Sequence, residues 1–519
     1  MTDAVVVGSG PNGLAAALTL ARAGLRVEVF EAHERIGGGL RTEALFDSEV
    51  LHDICAAVHP MAPVSPFMRS LDLEAHGVAL LHSPAAYGHP LPGRPAALAW
   101  RDLDTTCAEL GRDGRRWRRL MLPLMEHSAD VVDLMLSTQR TPPNPKALAL
   151  LATRLPAQAL RVGGGLRTEA ARALLTGVAA HGIGRLPSPA SAAVALLLGH
   201  LAHTTGWPVP QGGSRAVAAV MAHQIERLGG RIHTGVRVDS LRDLPARRLT
   251  LLDVSPRELA RIAPLPEAYL RALSRYRYGP GAAKADFLVE GAIPWADPRL
   301  SRAATIHLGG AHGTATELAR AETATARGRR VRHPYIIVVD PAAADPARAV
   351  RGRRPVWAYA HVPHGDPRDP LPTIRAALES HAPGFTDTVI AERGVSAARL
   401  GAYNPNYVGG DIASGAMTLW QTLARPVPRW NPYRTPLPGT WLCSSATPPG
   451  PRSTECAGIT RPGRHWPPGR RRTGPLPPRW SGTTTGSEDD VLHDVRNAHP
   501  ARPPPPWPPP RCPAPASRA

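Results

Sequence analysis

The first apolar segment of the chain, Ala4 to Val7, has no polar position, and its successive valines predict a strand buried on both faces of a parallel sheet. Gly8, Gly10 and Gly13 follow at once. Leu14 to Ala23 is rich in Ala and Leu with no breaker, which predicts a helix, and Gly24 stands where a C-cap glycine belongs. Arg26 to Phe30 predicts a second strand, ending at Glu31. Helical patterns return over Trp117 to Leu134, Lys146 to Leu155 and Ser191 to His203. The last two are apolar on more than one side, which predicts burial or the lining of a greasy tunnel. Pro210-Gln211-Gly212-Gly213-Ser214 opens a helix over Arg215 to Leu228, Gly229-Gly230 ends it, and Arg231 to Val238 reads as a strand. Leu249 to Val254, Tyr278 to Glu290, Ile336 to Asp340 and Val356 to Val362 predict further strands.

Strand, glycine turn, helix, strand and acid in that order form a complete dinucleotide-binding unit. Gly8 lets the chain turn sharply, Gly10 leaves room for a pyrophosphate against backbone N–H groups, and Gly13 lets the helix pack on the strand. Glu31 lies roughly 20 residues beyond the glycines, where it can accept both ribose hydroxyls of an adenosine.

The next residues, Glu31-Ala-His-Glu-Arg-Ile-Gly37-Gly38-Gly39-Leu-Arg41-Thr42, resemble the second glycine motif of the flavin-dependent amine oxidase and phytoene desaturase superfamily. The resemblance implies FAD as cofactor, with Gly8, Gly10, Pro11, Asn12, Gly13 and Glu31 as contacts and Gly38, Gly39 and Arg41 extending the contact to the pyrophosphate. It implies that the passage from Pro210 to Val238 returns to the nucleotide domain, where Val238 meets the adenine through its backbone. Lys284 is the one catalytic candidate, because related amine oxidases place a lysine near flavin N5, where an ammonium holds a water or stabilises the reduced ring. A strand lysine reaching solvent is the plainer alternative. His52-Asp53 resembles a pair that phytoene-dehydrogenase-like proteins carry at this point. Tyr403-Asn-Pro-Asn-Tyr407-Val-Gly409-Gly410-Asp411-Ile412 and Trp441 to Gly450 resemble the same subgroup's closing segments.

The expected fold is therefore α/β, a FAD-binding Rossmann-type domain interleaved with an α+β substrate domain. Its nucleotide parts are residues 1–85, 206–262 and 401–450; a helical cap covers 86–205 and a substrate domain 263–400; a Pro/Arg-rich tail occupies 451–519. The family continues after its counterpart of Gly450 with Gly-Val-His-Gly-Met-x-Gly and an Ala/Arg-rich helix, whereas this chain reads Arg452-Ser-Thr-Glu-Cys-Ala-Gly-Ile-Thr-Arg-Pro462. GC-rich codons for those residues, read from the third base, spell Val-His-Gly-Met-Arg-Gly. Residues from about 452 are thus read as translated out of the ancestral frame. The tail holds 17 of the 58 prolines, and 11 Arg against 5 acidic residues, so it is expected to stay without a packed core.

The formal charge of +19 changes this picture little, because of 61 basic residues only Lys146 and Lys284 are lysines, a bias that GC-rich coding produces. No interleaved basic and aromatic pattern points to nucleic acid. The 5 cysteines are scattered without a CxxC pair, as expected of a reducing cytosol. His52, Cys55 and His59 have a spacing a metal could use, but apolar neighbours and the lack of a nearby fourth ligand favour a buried turn under the flavin, and no metal is expected. The longest later apolar run, Ala192 to Leu198, is far below the roughly 18 residues of a spanning helix, so the expected location is cytoplasmic, with peripheral membrane contact at most. The expected activity is removal of hydride equivalents from a small apolar substrate to FAD, with oxygen, a quinone or another acceptor closing the cycle. An amine oxidase and a flavoprotein disabled by its altered C-terminus are the rival readings.

Overall fold

The computed structural model describes residues 2–136, 144–448 and 450. The expectations for the chain after Gly450, the out-of-frame reading included, lie outside these residues. Ala4–Val7 is the central strand of a five-stranded parallel sheet, flanked by Val27–Phe30 and then Arg231–His233 on one side, and by Leu249–Leu252 and then Thr440–Leu442 on the other. Strands from three distant stretches of chain thus complete one nucleotide sheet. The helix Pro11–Arg22 starts with a proline whose missing N–H would have been unpaired in any case. It buries Leu14 and Leu18 against Val217, Met221 and Ile225 of the helix Arg215–Arg227.

A second, seven-stranded sheet runs in the order Val389–Val395, Gly281–Glu290, Arg353–Val362, Ile336–Val339, Thr305–Leu308, Ala85–Leu91, Arg94–Trp100. Its pairs are antiparallel except where Ile306 lies parallel to Gly88. The helices Glu169–Ala180 and Pro189–His203 pack on it, joining Leu174 and Leu197 to Tyr87, Tyr335, Ile337 and Trp357 in one core.

Four expectations about elements need correction. The stretch expected to be a helical cap opens with the hairpin of Ala85–Leu91 and Arg94–Trp100, whose small alanines suit close packing inside a sheet. Trp117 to Leu134 is two helices, Gly114–Glu126 and Ser128–Leu136, because His127 leaves helical geometry between them. The helix Pro145–Leu160 buries Ala147 and Leu151 in a small core with Leu124, Val131 and Leu196, with Leu150 and Leu155 packed against it, but leaves Leu148 50% and Leu160 78% exposed, so it is apolar-packed on one side only. The strand expected to reach Val238 stops at His233, since Gly235 adopts a left-handed φ of 69° and Val236 N–H turns back to Glu31 O at 2.8 Å.

The two sheets are locked together at Asp53. Its carboxylate accepts from Thr42 Oγ1 (2.7 Å), from the Ser214 N–H (2.9 Å) and from Arg348 Nη1 (2.9 Å), while Arg348 Nη2 donates to Leu51 O (2.7 Å). The paired side chains are 0% and 3% exposed. Asp53→Asn leaves the Arg348 cation buried without a counter-charge and is expected to lower unfolding free energy by about 3–5 kcal/mol. Urea unfolding measures this, and Asp53→Asn combined with Arg348→Met is expected to recover part of the loss.

Candidate dinucleotide and substrate site

The glycine loop leaves the C-terminal edge of the central strand, where an open parallel sheet offers a crevice to ligands. Gly8 has a φ of 97°, and a Cβ on Gly13 would lie 2.1 Å from Gly8 O, so the helix can approach the strand only because both residues lack a side chain. Gly10, Pro11, Asn12, Gly38 and Gly39 continue the wall of a cleft of about 310 Å³, with Gly8, Glu31, Arg41 and Val238 also on its surface. Gly13 stays behind that wall as the packing residue. Val238 is 8% exposed and packs on Val5 and Val7 while it lines the cleft.

Glu31 accepts from Ser9 N (2.9 Å), Ser9 Oγ (2.5 Å) and His33 N (2.8 Å). Both Ser9 bonds fall on Oε2, whereas Oε1 accepts only from His33 N and keeps one acceptor position for a sugar hydroxyl. Arg41 is 4% exposed and lies over the Tyr403 ring at 4.5 Å, yet its buried Nε and Nη1 have no hydrogen-bond partner among the described residues. A buried guanidinium with idle donors is costly unless an anion meets it. Beside a glycine loop and a ribose-type carboxylate, a dinucleotide pyrophosphate supplies that anion, so these residues fit FAD or a related cofactor.

Several cleft residues lie in segments that the sequence marks, but without a role in the site. Asp253 follows the strand Leu249–Leu252 and accepts the Gly13 N–H at 2.9 Å; burial first, then the nearby Glu31, raise its carboxyl to about 7. Asn406 accepts from Ser255 N (2.7 Å) and donates to Asp253 O (3.2 Å), and Tyr403 Oη donates to Gly38 O (3.2 Å). The Tyr403 to Ile412 passage is therefore the floor of the cleft, and Asp411 pins it by accepting N–H bonds from Gly279, Ala413 and Gly415. The resemblance of this passage to the subgroup's closing segments carried no statement of what lies opposite it.

A second cavity of about 340 Å³ adjoins the cleft, sharing Pro11, Asn12, Gly39, Tyr407, Ile412 and Ser445 with it. Its wall is largely apolar, with Leu40, Ile54, Met61, Leu198, Ile337 and Trp357 prominent. Lys284 is the one Lys or Arg on that wall, and neither Asp nor Glu reaches it among the described residues. Far from reaching solvent, Lys284 is 5% exposed, paired with the buried Asp286, 3.3 Å from Asp53 O and 5.6 Å from the centre of the Trp357 ring.

His52, Cys55 and His59 turn to three different partners. His52 meets Phe287 O at 3.2 Å in the core, on neither cavity wall, so the His52-Asp53 pair is structural. Cys55 faces the Tyr407 phenol, whose ionisation burial pushes far up. Ser214 Oγ donates to Ala56 O (2.6 Å), so it accepts from His59 Nε2 (2.7 Å). Burial lowers His59 to about 4, so it stands on the cavity wall as a neutral imidazole.

Residues 6–71 match the family model of the NAD(P)-binding Rossmann-like domain. The mouse (Mus musculus) pyridine nucleotide-disulfide oxidoreductase domain-containing protein 2 is 25% identical across 86% of this chain and 90% of its own length. One of the limonene dehydrogenase polypeptides of Castellaniella defragrans is 32% identical across 24% of this chain and 23% of its own. Among solved structures, an oxidoreductase from Methanosarcina mazei superposes with a TM-score of 0.55 at 16% identity, covering 86% of this chain and 95% of that one. A putrescine oxidase superposes with a TM-score of 0.55 at 17% identity, covering 88% and 96%. Residues 6–71 are thus a NAD(P)-binding Rossmann-like domain, and the chain as a whole is similar in sequence to a pyridine nucleotide-disulfide oxidoreductase domain-containing protein and shares its fold with the Methanosarcina mazei oxidoreductase and putrescine oxidase.

Proposed function

We propose that the chain is an FAD-dependent dehydrogenase that removes hydride equivalents from a neutral, apolar substrate of the polyene or isoprenoid kind. The observation that carries this is the shared wall of the two cavities. Arg41 and the glycine loop would hold the pyrophosphate in the cleft, and that cleft opens past Pro11, Gly39 and Tyr407 onto the apolar chamber. Bound there, the flavin supplies the hydride acceptor. The protein supplies shielding and charge: Ile54, Met61, Ile337 and Trp357 exclude water, and Lys284 brings the chamber's cation. His59, with its Nε2–H committed to Ser214, keeps Nδ1 as an acceptor for the proton released from the substrate's adjacent carbon.

The same wall argues against an amine substrate. An alkylammonium entering the chamber would meet Lys284 and, among the described residues, no carboxylate to offset the loss of its hydration. The limonene dehydrogenase relative is named for a hydrocarbon substrate and supports the apolar reading. The putrescine oxidase likeness is one of fold.

The purified chain is expected to show oxidised-flavin absorption at near-stoichiometric height, bleached anaerobically by apolar polyenes or terpenes and not by amines. Bleaching by amines alone overturns the substrate reading, and a colourless folded chain that takes up no added FAD overturns the cofactor reading. Arg41→Ala is expected to weaken FAD binding roughly 10- to 100-fold, the worth of one or two charged hydrogen bonds, as read by flavin fluorescence. Lys284→Met combined with Asp286→Asn, which removes both buried charges together, is expected to slow anaerobic flavin reduction about 100-fold with FAD affinity nearly unchanged.

A further inference from the structure

Asp253 stands where the nucleotide cleft is least suited to a second negative charge. Its backbone N–H donates to Val7 O at 2.8 Å, which sets it at the edge of the sheet beside the glycine loop. Oδ2 accepts the Gly13 N–H at 2.9 Å and lies so close to Gly10 that a Cβ there would be 2.6 Å away. The helix Pro11–Arg22 has few donors at its start, since Pro11 has no N–H and Leu14 N–H is already bonded to Gly10 O at 2.9 Å. Of those it has, Asp253 holds the one on Gly13. A helix start of this kind is where a pyrophosphate binds, so carboxylate and pyrophosphate converge on one place.

The other charged groups of the cleft leave Asp253 without a cation of its own among the described residues. Glu31 lies opposite and disfavours its ionisation. Arg261 and Arg237 are engaged with Glu258 at 2.9 and 3.8 Å, and His33 Nδ1 accepts the Arg35 N–H at 3.0 Å. Arg41 shares the cleft, but neither its guanidinium nor Asp253 is paired with the other.

We propose that Asp253 meets the pyrophosphate of the dinucleotide as a neutral carboxylic acid, so that cofactor binding takes up one proton. The carbonyl oxygen keeps the Gly13 N–H while the acid O–H donates to a phosphate oxygen, which replaces a repulsion by a hydrogen bond. This rests on the FAD reading above. The sign follows from linkage: with the free carboxyl at about 7, binding below that pH finds the acid already protonated and is insensitive to pH. Above it, every pH unit weakens binding by up to tenfold, until the carboxyl of the complex itself ionises.

The test is FAD binding to the full-length chain freed of flavin, followed by fluorescence quenching at pH 6, 7, 8 and 9. Calorimetry at pH 8, in buffers of different ionisation enthalpy, counts the protons. The wild type is expected to lose up to about 50-fold in affinity from pH 7 to 9 and to take up close to one proton at pH 8. Asp253→Asn copies the acceptor and donor of the neutral acid, and is expected to bind with a flat pH profile and no proton uptake. A wild type that binds FAD with a flat profile and no proton uptake overturns the proposal. So does an Asp253→Asn chain that keeps the wild-type slope. If neither chain binds FAD at any pH, the cofactor reading fails and the proposal falls with it. The proton count on the wild type needs no variant, so misfolding of Asp253→Asn does not blunt the test.

Discussion

The buried carboxylate of Asp53 is the constraint on which the geometry of both cavities depends. One side chain receives Thr42 from the segment after the second glycine motif, Ser214 from the start of a helix of the nucleotide domain, and Arg348 from the substrate side. Its backbone oxygen lies 3.3 Å from the Lys284 ammonium. A charge with no exposed surface is tolerated only when its acceptor positions are filled, and here the groups that fill them come from separate stretches of chain. Satisfying Asp53 therefore ties three separate segments together directly behind Arg41 of the cleft wall and Ile54 of the chamber wall.

The two cavities divide their electrostatics sharply. The cleft holds a guanidinium with idle donors, a glycine loop and a carboxylate, which is the equipment for a sugar and a pyrophosphate. The chamber's described wall holds one ammonium, a neutral imidazole at His59 and mostly hydrocarbon. Lys284 and Asp286 are buried as a pair, yet Asp286 stays off the wall, so an incoming molecule meets only the positive partner. A reduced cofactor ring gains from that asymmetry and a cationic substrate loses by it.

Asp253 follows the same logic on the cleft side. The loop that leaves room for phosphate at Gly10 also leaves room for a carboxylate from the next parallel strand. Burial raises that carboxyl to about 7, where it protonates readily, so one residue can hold a helix donor and still accommodate an anion beside it.

The nucleotide unit was legible in the chain before any fold was known. The valine run, three glycines, the Ala/Leu helix, Glu31 and Arg41 are local signals, because the turn, the helix and the second strand each need particular residues at short spacing. The helix that starts after Pro210 was legible for the same reason, since its capping and periodicity are equally local. What faces what came only with the folded chain. Asp253, Tyr403 and Asn406 carry no local sign of their partners and become cleft residues through contacts spanning 151 to 365 positions. Lys284 reads as a surface lysine on an alternating strand until both faces of that strand are covered. The same covering turned His52 into a core residue and set His59 on the chamber wall. Local spacing encodes backbone shape; burial, and with it charge state and reactivity, comes from the segments that pack across it.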